Sequence, residues 1–231
     1  MAYEGFDMTS RDEVPVDVCR RLSFASKPEW ASVENKFWDR KLDPVASKEA
    51  LFIVDDCLKH FKLHFWLCFG TALGFYRNRN FIPWDDDIDI QVIADEFEGK
   101  MDDVQEYLIK QGCVVRSVKR SSNSKMSIFV NGIKLQIQGI NETPDLPNMV
   151  QMKLFKYPKK FYYETYQNIT FADREFCLPG PPDEYLTFCY GKDWNTPQNI
   201  PDWRDYMAPE QLKDNHWLAA HRTHNERKGK K

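Results

Sequence analysis

The stretch FIPWDDDIDI at residues 81–90 carries four carboxylates within five positions. Three of them, Asp85, Asp87 and Asp89, recur with a period of two, which places side chains on one face of a β-strand. The alternating isoleucines would then face the core. Clustered carboxylates repel one another and raise each other's pKa unless a cation neutralises them. The stretch therefore predicts a strand with one acidic face, and a divalent cation, Mg²⁺ or Mn²⁺, bound to it.

The aspartates also admit a purely structural explanation, because Asp residues cluster in turns and helix caps. A turn at residues 83–85 would account for Asp85 and Asp86 without any ligand. It would not account for Asp87 and Asp89, since aspartate disfavours strand interiors. We therefore assign a functional role to Asp87 and Asp89, leave both explanations open for Asp85, and expect Asp86 to be solvated or to cap a turn.

Upstream of the acidic stretch, Gly70 and Thr71 follow the apolar segment HFWLCF at residues 64–69. The apolar segment predicts a short strand, and the glycine predicts a turn into a short helix that ends near Tyr76. Phosphate binds backbone N–H groups at helix starts, where a glycine permits close approach and a threonine hydroxyl adds a donor. The combination predicts that Gly70 and Thr71 hold a nucleotide phosphate and that the aspartates hold its metal.

Secondary-structure signals along the rest of the chain alternate between helix and strand. Asp43 and Pro44 predict a capped helix start, and Asn131-Gly132 predicts the turn of a β-hairpin. The other predicted elements are a strand over 88–93, a helix over 94–111, hairpin strands over 127–130 and 133–137, strands over 162–166 and 175–178, and a helix over 181–190. The pattern predicts an α+β fold with a mixed β-sheet flanked by helices.

The same signals divide the chain into three parts. Residues 1–42 have no clear period and predict an arm that packs on the main body. Residues 43–215 form the predicted main domain, and residues 216–231 form a basic tail. A short charge run at a chain end is most often solvated.

Composition and charge exclude several classes of protein. The formal net charge of −3 over 231 residues argues against a nucleic-acid-binding protein, because such proteins usually carry an excess of positive charge. No apolar run approaches the ~20 residues of a transmembrane helix. The six cysteines are scattered without metal-ligand spacing, which argues against a zinc site and predicts small buried core residues.

The expected compartment is the cytoplasm, because the first residues, MAYEGFD, lack the basic and apolar regions of a secretory signal. Two glycosylation sequons, at residues 141–143 and 168–170, leave a luminal origin open. Such triplets also occur by chance, so the sequons do not decide the compartment.

Two longer motifs resemble those of a known family. The segments FGTALGFYR at residues 69–77 and FIPWDDDIDI at residues 81–90 together resemble the signature of the LicD/fukutin phosphotransferase family, which has the nucleotidyltransferase fold. A weaker segment, YLTFCYGKDWNTP at residues 185–197, is similar to the family's C-terminal motif. The resemblance spans about residues 45–197.

The resemblance implies a metal-dependent phosphotransferase. Such an enzyme moves a phospho-alcohol or phosphosugar group from a nucleoside diphosphate donor, most often a CDP-linked one, to a glycan hydroxyl. The implied catalytic residues are Asp85, Asp87 and Asp89, and Mg²⁺ or Mn²⁺ is held by Asp87 and Asp89. The family resemblance also leaves the Golgi or secretory lumen open as the compartment.

The residues expected to bind the donor phosphates lie around this motif. Carried over by position, they are Gly70 and Thr71, together with Arg77 as a bidentate donor. Arg77 is equally explained as a solvated arginine in a turn. Lys125, just before the predicted hairpin, is a further candidate for a donor phosphate, although surface lysines are the norm.

One departure from the family pattern concerns the strand beside the acidic strand, where the superfamily usually carries a third carboxylate. Here its polar face offers Lys134, Gln136 and Gln138, and an amide cannot take a proton. We predict that Gln136 and Gln138 share a sheet face with Asp87 and Asp89. Three alternatives stay open: a phosphotransferase with Asp85 in the missing role, a nucleotidyltransferase that releases pyrophosphate, and a non-catalytic binder or scaffold.

Overall fold

The computed structural model describes residues 14–38, 41–120, 124–153 and 155–198. The chain divides into two units, Met1–Asn141 and Glu142–Lys231. The predicted basic tail at 216–231 lies outside the described residues, as do the first thirteen residues of the predicted arm.

The first unit alternates helices and strands. Its elements are α1 (Val16–Ser23), α2 (Lys27–Trp38), α3 (Pro44–His60), β1 (Phe65–Leu67), α4 (Phe69–Asn78), β2 (Ile88–Ile93), α5 (Ala94–Glu98), α6 (Met101–Lys110), β3 (Val114–Val118), β4 (Lys125–Val130) and β5 (Ile133–Thr143), the last of which runs across the boundary between the units. The predicted arm therefore contains two helices that its weak periodicity did not indicate.

The start of α3 follows the predicted capping pattern. The Asp43 carboxylate accepts hydrogen bonds from the backbone N–H groups of Val45, at 3.1 Å, and Ala46, at 2.8 Å. Pro44 occupies the first helical position, where its missing N–H costs nothing. The helix buries an apolar stripe that includes Leu51 and packs against α6.

The strands of the first unit form a mixed sheet in the order β3-β4-β5-β2-β1. β5 and β2 run parallel, and the other neighbouring strands run antiparallel. Asn131 and Gly132, with φ angles of 54° and 73°, form the predicted turn between β4 and β5. This two-residue turn fixes the β4–β5 register, in which Ser127 pairs with Gln136. In the parallel β2–β5 ladder, Asp89 pairs with Gln136. The predicted α+β fold with a mixed sheet is confirmed.

The two faces of this sheet differ in chemistry. Ile88 and Ile90 pair with Leu135 and Ile137, and all four side chains are fully buried. The residues that alternate with them, Asp89, Gln136 and Gln138, are polar, and they lie on the opposite face because the side chains of a strand alternate between faces. The apolar face thus anchors the sheet in the core, and the other face carries the acidic and amide side chains.

Two predictions for the first unit differ from the structure. The helix predicted over 94–111 is two helices, α5 and α6, separated at Gly99 and Lys100, because glycine is a poor helix former and here ends α5. The strand predicted over 88–93 is confirmed, but the acidic face predicted for residues 85–89 is not on a strand throughout, because β2 begins only at Ile88. Of the functional aspartates, only Asp89 therefore lies on the strand, and Asp85 and Asp87 precede it.

After the end of β5, the described part of the second unit contains two hairpins and two helices: β6 (Leu146–Met152), β7 (Phe155–Pro158), α7 (Lys160–Tyr163), β8 (Gln167–Phe171), β9 (Arg174–Leu178) and α8 (Pro182–Tyr190). The predicted strand over 175–178 and helix over 181–190 are confirmed. The predicted strand over 162–166 is wrong. Its aromatic residues favour strands, but Tyr162 lies in α7 and packs against Tyr185, so tertiary packing overrides the propensity.

The remaining expectations about the chain as a whole concern membranes and cysteines. Within the described ranges, no helix combines the length and apolarity that crossing a membrane requires. All six cysteines are free thiols, and five of them are buried. The prediction that they are small core residues is therefore confirmed for those five.

Candidate active site

The acidic segment lies between a turn and the start of β2. The backbone N–H of Asp85 donates to the carbonyl of Ile82 at 3.0 Å, which closes the turn over Pro83 and Trp84. The Asp85 carbonyl in turn accepts from the N–H of Leu42 at 3.0 Å, so the chain before α3 is tied to this segment. At the other end, the carbonyl of Asp89 accepts from the N–H of Cys68 at 3.1 Å, so backbone hydrogen bonds hold both ends of the segment.

Three carboxylates of this segment come together. Ligand oxygens of Asp85, Asp86 and Asp87 all lie within 4.8 Å of one another. Asp86 was expected to be solvated or a cap, and the structure instead shows it half-buried in the cluster. Asp89 follows on β2, outside this group of three. The acidic site is therefore wider than the period of two suggested.

The start of α4 lies against the acidic segment. The Thr71 hydroxyl accepts a hydrogen bond from the backbone N–H of Asp89 at 2.9 Å, and Thr71 is only 2% exposed. A Cβ at Gly70 would collide with the carboxylate of Asp85. Phe69, just before it, has a φ of 49°, a strained conformation for a residue that is not glycine. Gly70 and Thr71 thus position Asp85 and Asp89, and their contact with phosphate stays a prediction.

β5 meets the aspartates with hydrogen-bond donors. The Gln136 amide nitrogen donates to Oδ2 of Asp87 at 3.0 Å, and that of Gln138 donates to Oδ1 of Asp89 at 3.3 Å. The prediction that the two glutamines share a face with these aspartates is confirmed. No carboxylate of the described part of β5 lies at these contacts, since its polar face there carries Lys134 and the two glutamines.

Lys134 is a site residue that the sequence analysis placed on the polar face without assigning it a contact. Its ammonium lies 3.0 Å from Oδ2 of Asp87, the same oxygen that accepts from Gln136. The Lys134 side chain is 7% exposed and that of Asp87 is 17% exposed. The sequence did contain a signal that Lys134 lies at the site. It is two residues before Gln136 and therefore shares its face of the strand.

Burial and mutual repulsion raise the pKa values of Asp85 and Asp89. Burial, followed by the charges of Asp87 and Asp86, raises the pKa of Asp85 to about 7. Burial and the charges of Asp87 and Asp85 raise the pKa of Asp89 well above its ordinary value. Burial lowers the pKa of Lys134, but Asp87 and its neighbours outweigh burial and the net shift is upward. Asp85 and Asp89 therefore keep their protons to higher pH than an isolated aspartate does, unless a cation neutralises the site.

The two other predicted phosphate ligands lie in different places. Lys125 pairs with Gln138 in the β4–β5 register and so shares the polar face, and its charge opposes the upward pKa shift of Asp89. Arg77 lies at the opposite end of α4 from Gly70, about 10 Å away by helical rise. Its Nε donates to the Asn78 side chain at 2.8 Å. The structure brings Lys125 to the acidic site and leaves Arg77 at the far end of the helix.

The donor set suits a hard divalent cation. Mg²⁺ and Mn²⁺ prefer carboxylate oxygens, and here such oxygens converge within a few ångströms on a segment fixed by backbone hydrogen bonds. The partly buried negative charge also lacks full compensation from Lys134 alone. The residues present therefore fit a bound divalent cation.

Comparison with known proteins identifies relatives of this chain. Ribitol-5-phosphate transferase FKTN from Homo sapiens is 28% identical over 170 residues, which cover 69% of this chain and 35% of that protein. Lipopolysaccharide cholinephosphotransferase LicD from Haemophilus influenzae is 41% identical over 44 residues, 19% of this chain and 17% of that protein. The crystal structure of ANT(2")-Ia in complex with adenylyl-2"-tobramycin aligns with a TM-score of 0.40 at 14% identity, covering 57% of this chain and 68% of that one.

The family assignment rests on a broader match. The chain spans about a third of the length of the FKTN proteins that it matches. The family model described as LicD/FKTN/FKRP, nucleotidyltransferase domain, matches residues 62–180, which hold both the start of α4 and the acidic segment. Because this match covers just over half of the sequence, the chain belongs to the LicD/FKTN/FKRP nucleotidyltransferase-domain family.

Proposed function

We propose that this chain is a metal-dependent phosphotransferase. It moves a phospho-alcohol or phosphosugar group from a nucleoside diphosphate donor to the hydroxyl of a glycan. The expected donor is CDP-linked. The observation that carries the proposal is the convergence of the Asp85, Asp86 and Asp87 carboxylates beside the start of α4, with Asp89 held next to them on β2 by Thr71. The names of two relatives, a ribitol-5-phosphate transferase and a cholinephosphotransferase, support a phospho-alcohol as the transferred group.

The proposed reaction is a displacement at phosphorus. The acceptor oxygen forms a bond to the phosphorus that carries the alcohol, and the bond from that phosphorus to the bridging oxygen breaks. The nucleoside monophosphate leaves with the electron pair, and the hydroxyl proton passes to a base. A cation held by Asp87 and Asp89 would neutralise charge on the diphosphate. Lys125, on the same sheet face, is placed to add a positive charge for the donor phosphates.

Asp85 is the proposed base. Gln136 and Gln138 point amide N–H groups at the aspartates and cannot take a proton. Lys134 is paired with Asp87. Asp85 is the carboxylate of the cluster that lies against Gly70, at the start of the helix expected to hold the donor. Thr71 holds the backbone of Asp89 in place through its hydroxyl.

A second candidate function follows from β5. Because that strand presents donors and no carboxylate to the aspartates, the chain also fits a non-catalytic member of the family that binds the donor without turning it over. A nucleotidyltransferase is the third alternative, and it differs in its leaving group. The two enzymatic functions therefore release different products, and the non-catalytic binder releases none.

The decisive experiment is a panel of nucleoside diphosphate donors with Mg²⁺ or Mn²⁺, followed by chromatography of the nucleotide products. We expect release of a nucleoside monophosphate that requires a glycan acceptor. Incubations with nucleoside triphosphates, assayed for pyrophosphate, test the nucleotidyltransferase. Donor binding without any turnover, in protein that also binds Mn²⁺, would favour the non-catalytic binder and overturn the phosphotransferase.

A further inference from the structure

The acidic site contains a positive charge of its own. The Lys134 ammonium lies 3.0 Å from Oδ2 of Asp87, and the lysine side chain is almost completely buried. A lysine is seldom buried unless it is paired. Its position on β5 is fixed by the parallel pairing of that strand with β2, so the charge is part of the sheet and not a mobile surface group.

This charge lies where a second metal ion would need a ligand. Two-metal sites hold ions about 3.5–4 Å apart, with carboxylates on both sides. Carboxylate oxygens of Asp85 and Asp86 lie within 4.8 Å of an oxygen of Asp87. At Oδ2 of Asp87, β5 supplies the Lys134 ammonium and the Gln136 amide nitrogen. Neither group can ligate a cation, because an ammonium has only donors and the amide presents its N–H.

We propose that the Lys134 ammonium takes the place of a second metal ion, so that the aspartates of this site bind one divalent cation and not two. The inference rests on the proposed metal-dependent function. The ammonium, held against Asp87 on β5, would add its positive charge beside a bound donor phosphate. An ammonium suits this task because it acts on phosphate as a point charge.

The test counts bound metal ions with Mn²⁺ alone. Electron paramagnetic resonance of free Mn²⁺, together with calorimetry, gives the number of ions per chain and their dissociation constants. We expect one Mn²⁺ in the wild type. Lys134→Glu replaces the ammonium with a carboxylate and should bind two. Lys134→Met removes only the charge and should bind one Mn²⁺ at least about tenfold more tightly, since a nearby positive charge is lost.

Lys59→Met is the matched control. Lys59 also pairs with a buried aspartate, Asp55, at 2.8 Å, but on α3. This variant should keep one Mn²⁺ with unchanged affinity. Circular dichroism checks the fold of every variant, and Lys134→Met decides the question if Lys134→Glu does not fold.

The possible outcomes separate this inference from the proposed function. Two Mn²⁺ ions in the wild type would overturn the inference and leave the metal-dependent function standing. One ion in both the wild type and a folded Lys134→Glu variant, or unchanged affinity in Lys134→Met, would also overturn it alone. A wild type that binds no Mn²⁺ would overturn the proposed metal dependence and this inference together.

Discussion

Gly70 and Asp85 share one small volume of the site, because a Cβ at residue 70 would lie 3.3 Å from Cγ of Asp85 and nearer still to Oδ2. The sequence suggested that this glycine gives phosphate access to the backbone. The structure shows a nearer reason for it, since any side chain at residue 70 would displace the Asp85 carboxylate. The glycine and the proposed base therefore depend on each other.

Replacing Gly70 should act through Asp85. We expect Gly70→Ala to lower the transfer rate by about 10²-fold, the loss typical of a displaced base, while the Mn²⁺ affinity changes little. Asp85→Asn should cause a loss of similar size and also keep the metal. The measurements are steady-state kinetics, with whichever donor of the panel turns over, and Mn²⁺ calorimetry.

A double-mutant cycle sharpens this prediction. The Gly70→Ala, Asp85→Asn double variant should be no slower than the slower single variant, because both changes remove the same interaction. Gly99→Ala serves as the control, since its Cβ would make only ordinary contacts, at 3.8 Å or more. Additive losses in the double variant would show that Gly70 acts independently of Asp85.

The carboxylates should contribute unequally to metal binding. Mn²⁺ should raise the melting temperature of the wild type, because it binds the folded state only. We expect Asp87→Asn and Asp89→Asn to lose this rise and Asp86→Asn to keep most of it. Asp89 is held on β2 by hydrogen bonds to Cys68 and Thr71, whereas Asp86 precedes the strand. A loss in Asp86→Asn with retention in Asp89→Asn would instead assign the metal to the three clustered carboxylates.

The stability of the metal-free protein should fall as pH rises from about 4 to about 7. In this range the folded chain keeps a proton on Asp85, whose pKa is raised to about 7 from 3.8, and the unfolded chain has lost it. Raising the pH therefore favours unfolding, by up to about 4 kcal/mol from this group. Urea unfolding in EDTA measures the slope. The free energy of unfolding of the Asp85→Asn variant should depend less steeply on pH. An identical slope in both proteins would contradict the raised pKa of Asp85.

Thr71 should stabilise the site through its hydroxyl. Thr71→Val keeps the shape but removes the acceptor for the Asp89 N–H, and an unsatisfied buried N–H costs about 1–3 kcal/mol. We expect lower stability in urea and weaker Mn²⁺ binding. Thr71→Ser retains the hydroxyl and should restore the metal affinity. If Val and Ser variants bind Mn²⁺ equally well, the hydroxyl does not position Asp89.

The sequence by itself determined the elements whose signals are local. The Asp43 cap, the Asn131-Gly132 turn and the strand over 88–93 all depend on neighbouring residues, and the structure has each of them. The family resemblance likewise came from contiguous motifs in residues 69–90. The shared face of the glutamines and aspartates was also predictable, because the family resemblance puts β5 beside the acidic strand and the side chains of a strand alternate between faces.

Only the tertiary structure decided which groups meet in the site. The Lys134–Asp87 pair and the Asp85–Gly70 contact join residues that are distant in the chain, and no local pattern encodes such a distance. The break between α5 and α6, and the helix in place of the strand predicted over 162–166, arose because packing outweighs weak local propensity. Local chemistry specified the acidic residues, and long-range packing specified the charges that surround them.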